Sequence, residues 1–311
     1  MNSFPKDLIS IANLNQAQII ELVELAANLK ANRKTHQKSL TGLTGGLLTT
    51  KPSLRTRLSF EIGLLELGAH SLFIRNDEVG LGVRESYEDV ANVLSRYLSV
   101  LIVRSHDHKG LIDLAKHSTI PIINALTDEE HPCQALSDLL TIYEQFNRLK
   151  GVKLAYIGDG NNVCVSLMLA SAIAGLEFTA ITPTGTEPNK DTVNRASQLA
   201  KQNGTLAPNI TNDPKAVLEA DILYTDVWVS MGDEGKQKSK NIFQNYQINA
   251  NLLNGKSIPV LHCLPAHKEE EISQEIFDKN KKLIFDQAEN RLHMQKAILV
   301  KLLVENKSFD S

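Results

Sequence analysis

The chain has 311 residues, 42% hydrophobic and 22% charged, with a formal net charge of −3. That length and balance fit a soluble globular protein of about two domains and leave no basic footprint for nucleic acid. Its three cysteines, Cys133, Cys164 and Cys263, form no CxxC pair, which argues for a reducing compartment and against disulfides or a zinc knuckle.

The N-terminus lacks a basic region followed by an apolar core, so no signal peptide is expected. No apolar run reaches bilayer length, which leaves a cytoplasmic, membrane-free protein as the expectation. Leu22, Leu25 and Leu29, flanked by Ile19, Val23 and Ala26, make the stripe of an amphipathic first helix. Strand-like runs follow at 47–50, 71–74, 100–103 and 120–125, with helical stretches over 87–98 and 111–117. Residues 133–149 read as one long connecting helix. A second series places strands at 152–157, 178–181, 222–225, 258–261 and 283–285, and helices at 163–174, 192–202, 214–220 and 270–278. A last helical segment covers 291–305. This βαβα order predicts an α/β fold of two domains, each a parallel β-sheet flanked by helices. The first domain takes 1–132 plus 290–311, the C-terminal helix packing back on it; 133–150 connects; 151–289 forms the second.

In such sheets ligands gather beyond the carboxyl ends of strands. After the first strand comes Lys51-Pro52-Ser53-Leu54-Arg55-Thr56-Arg57, which packs two hydroxyls and two guanidinium groups into a helix start. Free N–H groups, the positive helix end and bidentate arginines suit a phosphate; the plainer reading is an N-cap with solvated arginines. Arg104 ends an apolar strand and needs either a structural carboxylate or a ligand anion. His131 and Gln134 fit the polarising of a carbonyl and the acceptance of an amide N–H; a helix start with a backbone-satisfied histidine is the alternative.

Gly158-Asp159-Gly160-Asn161-Asn162 is a dinucleotide fingerprint without its third glycine. Asn161 reads as a helix cap, while Asn162 is open to either a cap or a carboxylate ligand. Asp226 through Gly232 brings a carboxylate and a hydroxyl toward one ammonium-sized site, or forms a solvated loop. Cys263 is a nucleophile or an inert thiol. Arg291 reads as a cation at the start of the last helix, where the dipole calls for an anion.

Taken together, Ser53-Leu54-Arg55-Thr56-Arg57, His131-Pro132-Cys133-Gln134, Asp226 with Ser230-Met231-Gly232, His262-Cys263-Leu264-Pro265 and Arg291 resemble the aspartate/ornithine carbamoyltransferase family, nearly end to end. The Ser-Met-Gly and His-Cys-Leu-Pro motifs resemble its ornithine branch. The resemblance implies transfer of the carbamoyl group of carbamoyl phosphate to the δ-amine of L-ornithine, giving L-citrulline and phosphate, in arginine biosynthesis or catabolism. It implies no metal and no organic cofactor. The first domain would bind carbamoyl phosphate, with Ser53, Leu54 (through its backbone), Arg55 and Thr56 on the phosphate. Arg104, His131 and Gln134 would orient the carbamoyl group, and Leu264 and Arg291 would close around it. Asn162, Asp226, Ser230 and Met231 would bind the amino-acid head in the second domain. Cys263, counted with the catalytic and carbamoyl phosphate-binding groups beside Arg55, Arg104, His131 and Gln134, would sit with Asp226 near the amines and form no covalent intermediate.

The resemblance further implies a homotrimer or a higher assembly of trimers. It also implies activity that rises with pH as the δ-amine loses its proton. The chain departs from the family at Thr49-Thr50, where Phe-Glu is common, and at Gly80, where relatives place Gln or His toward a neighbouring subunit. Arg84 is the candidate substitute donor. Rival readings are a carbamoyltransferase for another amine (putrescine or an N-acylornithine), a catalytically weak carbamoyl phosphate-binding relative, and a nicotinamide dehydrogenase resting on the glycine pattern.

Overall fold

The computed structural model describes residues 3–34, 36–51, 53–229 and 240–304. The chain divides into two compact units, one of residues 1–140 with 290–311 and one of residues 141–289.

The first unit runs α1 (Gln16–Ala31), β1 (Thr44–Thr49), α2 (Leu54–Glu66), β2 (His70–Arg75), α3 (Asn76–Val79), α4 (Tyr87–Leu94), β3 (Val100–Arg104), α5 (His108–His117) and β4 (Ile122–Leu126), and contains most of α6 (Pro132–Phe146). Its sheet is parallel throughout, in the order β2-β1-β3-β4. A capping box starts α1: Asn15 accepts the Gln18 N–H, and Gln18 accepts the Asn15 N–H. The apolar stripe then buries Ile19, Leu22, Val23, Ala26 and Leu29. Strand order reverses direction between β1 and β3, the place where open α/β sheets leave a crevice. Thr49 pairs with Arg104, so both strands end level there.

The second unit runs β5 (Lys153–Ile157), α7 (Asn162–Ala174), β6 (Glu177–Ile181), α8 (Lys190–Asn203), β7 (Asn209–Thr211), β8 (Ile222–Thr225), α9 (Ala250–Leu253) and β9 (Val260–His262). Its parallel sheet has the order β7-β6-β5-β8-β9. The switch falls between β5 and β8, where Ile157 pairs with Thr225, and Thr225 with His262. Under this sheet lies a core that includes Ile157, Leu223, Ile248, Val260 and Ile272.

Helix α10 (Gln274–Leu303) begins in the second unit and ends in the first. There Lys30 Nζ donates to Asn290 Oδ1 at 2.8 Å. The fully buried Lys296 ammonium pairs with Glu66 at 2.7 Å, which ties α10 to α2 as the C-terminal packing expected.

Four expectations change. The run 283–285, read as a strand, lies inside α10: no Pro or Gly stands between Gln274 and Leu303 to end the helix, and three apolar residues do not set a period. Arg291 is therefore mid-helix, and the dipole argument for it lapses. Residues 214–219 form a 3-10 helix rather than an α-helix, with Asp213 accepting the Lys215 N–H. The strand β7 gave no apolar signal, because this short edge strand is partly exposed along its length.

Gly80 ends α3 in a left-handed conformation, φ 68°, and a Cβ there would stand 2.7 Å from the Arg84 Cβ. The turn itself excludes a side chain at this position. Arg84 meanwhile donates to the Glu78 carbonyl within its own loop. Among the described residues, no helix is long and apolar enough to cross a membrane.

Candidate functional site

In the first unit the polar groups collect where β1 and β3 end. Ser53 is the N-cap of α2: its Oγ accepts the Thr56 N–H at 3.3 Å and donates to Thr56 Oγ1 at 3.1 Å. The residues read as an anion cradle thus also cap the helix. Thr56 is fully buried, and its hydroxyl also receives Arg291 Nη2 at 3.0 Å and Arg104 Nη1 at 3.5 Å. Arg104 donates Nε–H to the Lys51 carbonyl at 3.1 Å. Burial, reinforced by the charges of Arg291 and Arg55, pushes the Arg104 guanidinium down to about 10. Like charges this close call for an anion. Leu54 opens α2 with its side chain exposed, which leaves only its backbone available for a ligand there.

His131 precedes α6, and its carbonyl accepts the Gln134 and Ala135 N–H groups. Burial, with the charges of Arg291 and Arg104, holds its imidazole well below the ordinary pKa, so the ring stays neutral. Gln134 donates its amide N–H to Asp138 at 2.9 Å, which leaves its oxygen to accept an incoming N–H. Burial pushes the Cys133 thiol up to about 12, against the Arg291 charge, so it is no nucleophile. The reading of the sequence missed Lys51 as a member of this cluster; its buried ammonium lies 4.0 Å from Asp128.

The neutral His131 has a stability consequence. The unfolded chain takes up a proton near the ordinary histidine value of about 6.5, and the folded chain does so only far lower. Stability is then unaffected above that value and falls by about 1.4 kcal/mol per pH unit as pH drops below it. Thermal melts at stepped pH should show this slope, and His131→Asn should flatten it.

In the second unit the carboxyl ends of β5, β8 and β9 carry the polar groups. Asp226 Oδ1 accepts the Val227 N–H at 2.8 Å and the Cys263 thiol at 3.0 Å, while Oδ2 accepts Asn161 Nδ2 at 2.9 Å. Asn161 caps α7 by accepting the Val163 and Cys164 N–H groups, and Asn162 is the first residue of that helix. A thiol that donates to a carboxylate suits amine binding better than nucleophilic attack. Ser230 and Met231 lie outside the described residues.

His262 fixes the next turn. Its Nδ1 accepts the Leu264 N–H at 2.9 Å, so the ring proton is on Nε2, which donates to Glu271 at 2.9 Å. Asp226, His262 and Cys263 lie close enough to share a metal ion, but these hydrogen bonds already occupy both nitrogens of His262. The second glycine of the partial fingerprint has a packing explanation: a Cβ on Gly160 would lie 2.4 Å from the Pro188 nitrogen.

Two family models match the chain: "Aspartate/ornithine carbamoyltransferase, carbamoyl-P binding domain" over residues 6–144, and "Aspartate/ornithine carbamoyltransferase, Asp/Orn binding domain" over 150–302. An ornithine carbamoyltransferase of Bacillus cereus is 49% identical over 299 residues, covering 96% of this chain and 94% of that protein. Among solved structures, the ornithine carbamoyltransferase of Pyrococcus furiosus is 39% identical with a TM-score of 0.91, over 98% of this chain and 99% of that one. That of Gloeobacter violaceus is 42% identical with a TM-score of 0.86, over 97% and 100%.

Proposed function

The chain belongs to the aspartate/ornithine carbamoyltransferase family, and we propose that it transfers the carbamoyl group of carbamoyl phosphate to the δ-amine of L-ornithine. The observation that carries this reading is the gathering of Arg104 and Arg291 on the Thr56 hydroxyl, with the Arg55 charge beside them. Such a cluster takes a multiply charged oxyanion.

In the mechanism, Ser53, the Leu54 backbone, Arg55 and Thr56 hold the phosphate in the domain of residues 1–132 plus 290–311. Arg104 and neutral His131 donate to the carbamoyl oxygen, where negative charge develops. Gln134 accepts from the carbamoyl NH2 group, and Arg291 and Leu264 complete the enclosure. In the domain of residues 151–289, which the segment 133–150 joins to the first, Asp226, Asn162, Ser230 and Met231 bind the amino-acid head of ornithine, and Cys263 stands by the amines. The neutral δ-nitrogen attacks the carbamoyl carbon, the N–C bond forms, and the C–O bond to phosphate breaks. The nitrogen then loses its proton to the departing phosphate, giving citrulline and hydrogen phosphate.

The helix α2 supports a homotrimer or an assembly of trimers. Leu54, Leu58, Ile62 and Leu65 recur along one face of it and are exposed, a stripe suited to another copy of the chain. The sparse, scattered cysteines support a cytoplasmic enzyme.

A close rival is carbamoylation of another amine. Rates with L-ornithine, putrescine and N-acetylornithine at saturating carbamoyl phosphate distinguish the two. Ornithine is expected to be preferred, because Asp226 pairs with a free α-ammonium; a preference for putrescine would replace this reading.

A further inference from the structure

Trp228 lies two residues beyond Asp226 and is 6% exposed. Its ring stacks on Phe243, with centroids 5.4 Å apart and planes inclined by 17°, so its orientation is fixed. The Cδ1 atom, bonded to Nε1, faces the turn that follows β5: a Cβ built on Gly158 would stand 3.9 Å from it. One bond from Cδ1, the indole N–H lies at the carboxyl end of the sheet near the Gly158 turn, and the same built Cβ would stand 3.9 Å from the Asp226 carbonyl oxygen. It is buried and has no hydrogen-bond partner among the described residues.

Buried indole N–H groups ordinarily have an acceptor, and an orphaned one destabilises the protein until an acceptor arrives. The neighbouring groups select its chemistry. Asp226 attracts a cation, while the N-terminus of the thirteen-residue α7 favours an anion at the same end of the sheet. An α-amino acid carries both charges on one carbon.

We propose that Trp228 Nε1–H donates a hydrogen bond to the α-carboxylate of the amino-acid substrate, with Phe243 as the positioning residue that holds the ring. This deepens the ornithine reading and rests on it. Ornithine and putrescine share the reacting amine, but only ornithine has the carboxylate.

Trp228→Phe keeps an aromatic ring against Phe243 and removes only the donor. Calorimetry in the presence of inorganic phosphate should show L-ornithine binding about tenfold more weakly to this variant, with putrescine binding unchanged. Unchanged ornithine affinity, or an equal loss for putrescine, would overturn the proposal; the first outcome would mean that the N–H serves a trapped water. Trp228 is also the only tryptophan of the chain, so the wild-type emission reports on it even if the variant fails to fold. Ornithine should change that emission and putrescine should not; a response identical for the two overturns the contact. Citrulline formation measured in parallel tests the activity separately: no citrulline with a selective ornithine effect refutes the reaction and leaves the carboxylate contact standing.

Discussion

Arg55→Ala is expected to lower kcat/KM for carbamoyl phosphate about a thousandfold while the fold survives. Arg55 stands in the first turn of α2, partly exposed, so its loss opens no core cavity. It would hold the phosphate by charge-assisted hydrogen bonds, each worth about 1.5–3 kcal/mol. Two such bonds amount to about 4 kcal/mol, or roughly a thousandfold in rate. The leaving group carries more charge in the transition state than before it, so kcat falls as well as affinity. The free protein should melt at the same temperature or higher, because the Arg55 charge opposes that of Arg104. Steady-state kinetics with a thermal melt measures both, and a loss below tenfold would remove Arg55 from the site.

Asp226→Asn should lower kcat/KM for ornithine by about a hundred- to a thousandfold, without changing calorimetric affinity for carbamoyl phosphate. Removing one partner of a desolvated charge pair costs about 2–5 kcal/mol. The asparagine keeps a carbonyl oxygen for the Val227 N–H or the Cys263 thiol, so the turn after β8 should hold. What it loses is the acceptor of the Asn161 amide at Oδ2 and the negative charge that would hold the ornithine ammonium. The effect belongs to the second unit and the Arg55 effect to the first, so each substitution should spare the other ligand.

The two substitutions fall where the sequence was most legible. Ser53, Arg55 and Thr56 fall within four consecutive residues, and a strand run followed by a cap and a helix period places them at a strand end without further help. Arg104 was legible for a related reason, since a charge closing an apolar strand needs an anion. Arg291 was not: it reaches the Thr56 hydroxyl across 235 positions of sequence, carried there by α10. Sequence periodicity showed a helix around Arg291 but not that it continues unbroken from Gln274.

Gly160 shows a different limit. The incomplete glycine motif was weak evidence for a nucleotide site, and what the sequence did not show is that the backbone at Pro188 passes too close to Gly160 for any side chain. The hydrogen bonding of His262, with one nitrogen serving the Leu264 backbone and the other Glu271, had no sequence signal either. It depends on a loop closing back over nine residues. The unsatisfied Trp228 N–H was likewise invisible, because the lack of an acceptor is a property of packing.

The central claim is transfer of a carbamoyl group to ornithine, and the most direct test is product stoichiometry. The protein is mixed with L-ornithine and carbamoyl phosphate from about pH 6 to pH 9, across the approach to the amine's ionisation, and citrulline and phosphate are measured together. Equal amounts of both are expected, at a rate that climbs with pH and is about a thousandfold lower in Arg55→Ala. Phosphate released without citrulline, or citrulline made equally well by Arg55→Ala, would contradict the account.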